Sequence, residues 1–217
     1  MSIEKNLKKI KSSLPGHVTL VAVSKTKPES DIQEAYDAGQ RILGENRVQE
    51  MVEKWEHLPK DIQWHMIGHV QRNKVKHMID FVDFIHGVDS FRLLKEINKR
   101  AKKADRKVDC LLQMHIAEED TKFGLDTKEL HEIVTSEAFQ KFKNVRVKGL
   151  MGMATFTDDE NQVRREFKQL KSHFDRLKKQ LPEIDTLSMG MSGDYKIAIE
   201  EGSTMVRIGS SIFGARK

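Results

Sequence analysis

The chain has 217 residues, 38% of them hydrophobic and 33% charged, with a formal net charge of +5. That balance suits one large domain with a buried core and excludes a disordered chain, and four prolines and thirteen glycines leave no room for a linker. A lone cysteine, Cys110 in an apolar run, excludes an internal disulfide, and Met1 to Leu14 lacks the continuous apolar segment of a signal peptide or membrane span, so a cytoplasmic protein is expected.

Ile3, Leu7, Ile10 and Leu14 recur at helical spacing, and Pro15-Gly16 stops that opening helix. Val18 to Ser24 is a β-branched first strand. A helix over Glu29 to Ala38 follows, with Pro28 in the first turn and Gly39 at the exit. Ile42-Leu43-Gly44 gives a very short second strand, and Val48, Met51 or Val52, Trp55 and Leu58 line a helix closed by Pro59. Ile62 to Gly68 is the third strand, and Gln71 to Lys74 opens a short helix. Phe81 to His86 is the fourth strand, with Asp89 expected to cap a helix carrying Phe91, Leu94, Ile97, Ala101 and Ala104. Val108 to Met114 is the fifth, a helix starts at Asp126 or Thr127, and Val145 to Met151 is the sixth. A long helix carries Val163, Phe167, Leu170, Phe174, Leu177 and Leu181 on one face. Thr186 to Met191, a brief helix over Tyr195 to Glu200, and Thr204 to Ile208 complete the series.

Eight buried-type strands separated by helices predict a (β/α)₈ TIM barrel over 1–217 as a single domain. Too few residues follow the eighth strand for a full last helix, so the opening helix is expected to cover the seam between strands one and eight. No Gly-x-Gly-x-x-Gly fingerprint follows the first strand, which disfavours an open dinucleotide-binding sheet.

In such a barrel, function gathers where strands end. Lys25 and Lys27 follow strand one, and a lysine beside an apolar strand can be tuned into a nucleophile toward aldehydes. The strand period lets only one of the two point into the mouth easily, and the pattern does not say whether Lys25 shares an inward or an outward face with Val21 and Val23. Ser188-Met189-Gly190-Met191-Ser192-Gly193 and Arg207-Ile208-Gly209-Ser210-Ser211 lie after strands seven and eight, the usual phosphate position of this fold. Gly190 and Gly193 are expected to permit close backbone approach there. An amine beside a phosphate cradle selects a phosphorylated aldehyde, for which pyridoxal phosphate is the best candidate.

His65, His69, His86 and His115 fall near strand ends but lack carboxylates at ligand spacing, so no metal is expected. Glu118-Glu119-Asp120 reads as loop surface. The basic block Lys95 to Lys107 has no interleaved aromatic residues and reads as a solvated helix face, without specific nucleic-acid binding.

Several motifs also carry a resemblance. These are Ala22 to Pro28, Gly44 to Glu50, Trp64 to Lys74, Thr121-Lys122-Phe123-Gly124, Gly149-Leu150-Met151, Ser188 to Asp194 and Val206 to Gly214. Together they resemble the pyridoxal phosphate homeostasis proteins, the YggS/PROSC-type family, whose members are similar to the N-terminal barrel of alanine racemase (fold type III). The resemblance implies pyridoxal 5′-phosphate held as a Schiff base on Lys25, with Asn46 and Met151 lining the ring and Arg207 near the pyridine nitrogen. It also implies phosphate binding by Ser192, Gly209 and Ser210, with Ser188 and Met189 as adjacent pocket wall. Cofactor buffering and delivery to dependent apoenzymes, without turnover, is the implied role. The second base of the racemase comes from a further domain with no counterpart before Lys217, so a monomer is expected. The alternatives are a minimal amino-acid racemase, a lysine-dependent aldolase, or an anion- or RNA-binding accessory protein.

Overall fold

A computed structural model describes residues 2–119 and 123–214 of the chain. Met1, Asp120, the Thr121-Lys122 half of the 121–124 motif, and residues 215–217 lie outside the described residues. Eight strands run parallel in chain order and close into a barrel: β1 (Thr19–Val23), β2 (Ile42–Glu45), β3 (Gln63–Met66), β4 (Phe84–Val88), β5 (Val108–Gln113), β6 (Val145–Met151), β7 (Thr186–Ser188) and β8 (Met205–Ile208). Closure comes from β1 pairing with β8, from Thr19↔Met205 to Ala22↔Ile208.

Parallel neighbours need crossovers, and helices supply them. They are α2 (Glu29–Asp37), α3 (Val48–His57), a 3-10 turn at Arg72–Lys74 running into α4 (Val75–Met78), α5 (Phe91–Lys103), α6 (Thr127–Thr135) with α7 (Glu137–Gln140), α8 (Glu160–Gln180) and α9 (Tyr195–Glu200). The opening helix α1 (Ile3–Ser13) docks on the closing turn α10 (Ser210–Phe213), where Asn6 Nδ2 donates to the Ile212 carbonyl at 2.9 Å. The opening segment thus stands in for a last crossover helix, as the short tail after strand eight predicts.

Side-chain alternation along the strands splits the core in two. Val21, Phe84, Leu111, Met151 and Met205 fill the barrel interior. Their neighbours Leu20, Ala22, Ile85, Cys110 and Leu112 point the other way, into the layer under the helices. Each fully buried aliphatic or aromatic side chain there stabilises by roughly 1.5–3 kcal/mol. Cys110 is such a filler, and burial raises its thiol pKa.

The structure departs from the sequence reading in three places. β4 begins at Phe84 rather than Phe81, because the amides of Phe81 and Val82 both donate to the Met78 carbonyl and finish the turn after α4. His86 therefore lies inside a strand, not after one. The cap of α5 is Ser90, whose hydroxyl accepts from the Leu93 amide, while Asp89 takes His69 instead. Thirdly, β7 ends at Ser188: the Met189 amide and the Gly190 carbonyl still bond to Met205 and Arg207 of β8, but Gly190 at φ 97° turns the chain out of regular strand.

Candidate functional site

A cavity of about 680 Å³ is lined by residues that follow the strands: Lys25 after β1, Asn46 after β2, Gly68 and His69 after β3, Met153 after β6, Met191 and Ser192 after β7, and Gly209 after β8. It therefore opens at the C-terminal end of the barrel. A second cavity of about 820 Å³ backs onto the same Ser192–Asp194 loop from the side of α1 and α9, and contains none of Lys25, Asn46 or Arg207.

Both lysines border the cavity, and the first strand carries Lys25 to its inner side. Val21 packs in the barrel interior and Val23 lines the cavity, so the alternation carries Lys25 to the inner side. Lys27 reaches the same rim, with its Nζ donating to the Phe213 carbonyl at 3.0 Å. Between them Thr26 sits at φ 62°, a left-handed conformation that a β-branched residue adopts at a cost of about 1–2 kcal/mol. Behind this turn lies a buried ionic cluster on the helix side of the barrel. Lys54 Nζ donates to the Ser24 carbonyl at 2.8 Å, to Glu45 Oε1 at 2.8 Å and to Glu50 Oε1 at 2.7 Å. Ser24 Oγ donates to Glu45 Oε1 at 2.6 Å, and the Thr26 amide donates to Glu50 Oε1 at 2.5 Å. Burial raises the Glu45 pKa, against the opposing pull of Lys54 and Ser24.

Backbone amides gather across the β1–β8 seam, beside the end of β1. The amides of Gly209 and Ser211 converge on Ser192 Oγ at 3.3 and 3.5 Å. The Asp194 carboxylate accepts from the Met191 amide at 2.6 Å and ties that loop down. A Cβ on Gly209 would lie 3.1 Å from the Val23 carbonyl oxygen, so a side chain there would crowd the end of β1. The two glycines of the β7 loop play other parts than expected. Gly190, at φ 97°, is required by α9, since a Cβ would meet Ala198 Cβ at 2.6 Å, and Gly193 faces open space.

Arg207 enters the barrel from β8 and is almost fully buried. Its Nη1 donates to the carbonyl and the hydroxyl of Ser188 at 3.0 and 2.6 Å, and its Nη2 donates to the Gly152 carbonyl at 3.1 Å. Ser188 Oγ lies 3.3 Å from His86 Nδ1, and His86 Nε2 lies 3.0 Å from His65 Nδ1. A guanidinium can only donate, so the Ser188 hydroxyl accepts from Arg207, and its own proton is available to His86 Nδ1. His86 Nε2 and His65 Nδ1 share one hydrogen bond. Burial keeps both rings neutral, holding His65 down at about 3 and His86 well below its ordinary value, where His65 and Arg207 push it further. Burial also lowers Arg207 to about 10, partly offset by the Asp194 charge.

Six of the nine residues singled out from the sequence meet in this cavity: Lys25, Asn46, Ser192, Arg207, Gly209 and Ser210. Ser188 lies beneath it, holding Arg207. Met151 is buried in the barrel interior below, and Met153 lines the cavity in its place. Met189 is a correction: one residue past Ser188, it points outward into the helix-side core and forms no part of the wall. The sequence reading missed Gln113, whose Nε2 donates to the Phe123 carbonyl at 2.8 Å, and the two aromatic rim residues Phe123 and Phe156. Phe123 stacks on His69, whose Nδ1 is 2.7 Å from Asp89 Oδ2. Among the described residues no group of three His, Cys, Asp or Glu side chains could hold a metal ion.

Residues 1–217 match the family described as alanine racemase, N-terminal domain. The chain is 40% identical over 231 residues to the pyridoxal phosphate homeostasis protein of Vibrio alginolyticus, covering 99% of this chain and 98% of that protein. It is 41% identical over 209 residues to the protein of the same name from Escherichia coli K12, covering 93% and 87%. Among solved structures, PipY of Synechococcus elongatus with PLP bound superposes at a TM-score of 0.89 with 35% identity, covering 98% of this chain and 100% of that chain. Alanine racemase of Clostridium difficile shares the fold at a TM-score of 0.81 and 16% identity, over 99% of this chain and 56% of that one.

Proposed function

The chain belongs to the alanine racemase N-terminal domain family and, within it, to the pyridoxal phosphate homeostasis proteins, and we propose that it binds pyridoxal 5′-phosphate in the strand-end cavity to hold and deliver the cofactor rather than to turn over a substrate. The observation that carries this reading is the presence in one cavity of Lys25 and, across the β1–β8 seam, of Ser192, Gly209 and Ser210, with the Gly209 amide on Ser192 Oγ. When bound, the cofactor supplies an aldehyde that a lysine amine can capture and a ring that can draw electrons from a captured amine. Lys25 is the residue placed to hold it covalently.

The remaining donors fit the same ligand. Ser192, Gly209 and Ser210 offer hydroxyl and amide hydrogens to a phosphate, and Asn46 lines the ring with Met153, above Met151. Arg207 has five N–H donors and spends three on Ser188 and Gly152, which leaves donors for a ring nitrogen. Even at a pKa of about 10 the guanidinium keeps its own proton at neutral pH, so the ring nitrogen it faces stays unprotonated. That weakens the ring as an electron sink and disfavours transaminase-like carbanion chemistry.

In this reading 1–217 acts as a single cytoplasmic domain and a monomer. The recipients are apoenzymes that depend on the cofactor, and neither a membrane nor specific nucleic-acid binding takes part. Among the described residues no helix is long and apolar enough to cross a membrane. Borohydride reduction followed by peptide mass mapping should find a pyridoxyl group on Lys25, and Lys25→Ala should purify without visible colour. A reduced label on any other lysine would overturn the assignment.

A further inference from the structure

The Lys54–Glu45–Glu50 cluster occupies a costly place. Lys54 and Glu45 carry side-chain exposures of 7% and 0%, and one buried oxygen of Glu45, Oε2, has no hydrogen-bond partner. Buried ion pairs seldom improve stability over apolar packing of the same volume. The surrounding layer is otherwise apolar, with Val48 and Met51 on the same face of α3. A stability role alone is therefore a poor account of these three charges.

The contacts suggest another. The cluster holds the backbone on both sides of Lys25, while the Ser24 amide keeps its sheet bond to the Gly44 carbonyl at 3.0 Å. Before Lys25, the Ser24 carbonyl accepts from Lys54 and the Ser24 hydroxyl donates to Glu45. After Lys25, the Thr26 amide donates to Glu50, which holds Thr26 in its left-handed conformation. The Lys27 amide closes the turn on the Ser24 carbonyl at 3.1 Å. Lys25 thus sits between two residues that one charged cluster grips from behind, on the side of the strand away from the cavity.

We propose that Lys54, Glu45 and Glu50 are positioning residues that aim the Lys25 amine at an aldehyde before the ligand arrives. The inference rests on the reading of Lys25 as the capturing amine. Capture forms a C–N bond as the Lys25 nitrogen adds to the aldehyde carbon; the two nitrogen protons leave with the aldehyde oxygen as water, and the bond becomes C=N. The rate of that addition depends steeply on where the nitrogen is held, and misplacement by an ångström costs on the order of 100-fold. The residues read as the phosphate site, Ser192, Gly209 and Ser210, make no hydrogen bond with Lys54, Glu45 or Glu50.

The test uses the full-length protein stripped of ligand. Lys25 labelling by pyridoxal 5′-phosphate is followed by timed borohydride quenching and peptide mass. In parallel, binding of pyridoxine 5′-phosphate is measured; this alcohol carries the same ring and phosphate but cannot form the C=N bond. Glu50→Ala should slow Lys25 labelling by about tenfold, and Lys54→Met by more, while the alcohol binds within about twofold of wild type. Glu50→Gln keeps an acceptor for the Thr26 amide and should restore most of the rate. Should Lys54→Met fail to fold, the pair Glu50→Ala and Glu50→Gln decides, because Glu50 is partly exposed and its loss leaves Lys54 paired with Glu45. Unchanged labelling in Glu50→Ala would overturn the proposal, as would equal losses for aldehyde and alcohol. A wild-type label away from Lys25 would instead overturn the assignment of Lys25 itself.

Discussion

Two buried polar clusters flank the cavity, and they solve the same problem by opposite means. Inside the barrel, Arg207, Ser188, His86 and His65 form a chain in which one charge is surrounded by neutral acceptors. Outside it, Lys54, Glu45 and Glu50 compensate charge with charge. The first cluster can hold an arginine as a donor without a carboxylate beside it, which would compete with a ligand for its hydrogens. The second pairs its charges tightly among themselves and lines no part of the cavity. The comparison ties the choice of polar residue to whether it borders the cavity.

Acid should separate the two clusters most sharply. A histidine held at about 3 in the folded protein, against an ordinary value of 6.5, takes up a proton only on unfolding. Its contribution is present above pH 6.5 and is lost as pH falls toward 3, by up to about 5 kcal/mol for His65. His86 adds to the loss in the same direction. Glu45 has the reverse sign: burial raises its pKa, so acidification through that window favours the folded state. Urea midpoints measured from pH 7 down to 4 should therefore fall, and His65→Gln should flatten the slope. A slope unchanged in that variant would mean that the inner chain is not the acid-sensitive part.

Next in size is the outer cluster taken apart one charge at a time. Lys54→Met leaves Glu45 buried without its cation and should cost roughly 3–5 kcal/mol, whereas adding Glu45→Leu should recover most of that loss. Denaturant titration of the single and double variants measures both. A double variant as unstable as the single one would show that packing, not charge pairing, dominates there. The smallest effect expected is at Thr26, where glycine adopts φ 62° without a Cβ penalty. Thr26→Gly should raise stability by no more than about 1 kcal/mol, because glycine also adds freedom to the unfolded chain. A loss instead would mean that the threonine side chain packs usefully in the turn.

Much of this was legible in the sequence. The eight apolar runs, the lysine at the exit of the first and the glycine- and serine-bearing turns after the last two point to the barrel and to five residues of its cavity, and the family resemblance adds Asn46. The polar clusters were not, for particular reasons. Lys54 stands on the apolar stripe of α3, three residues after Met51, where spacing rules pass over a charged side chain. His65 and His86 are 21 residues apart and meet only because β3 and β4 pair at His65↔Phe84. Phe81 and Val82 look like strand residues, but their amides are spent on the preceding helical turn. Met189 enters the wall only through the family resemblance; next to the inward Ser188, strand alternation turns it to the helix side.

The pairing of the first strand with the eighth has a consequence during synthesis. Ala22 aligns with Ile208, so the amine at position 25 and the amides after position 208 become neighbours only when the barrel shuts. A nascent chain on the ribosome carries Lys25 long before the residues that follow β8. On the proposed reading, a chain stopped before β8 would have the amine without the amides that hold a phosphate beside it.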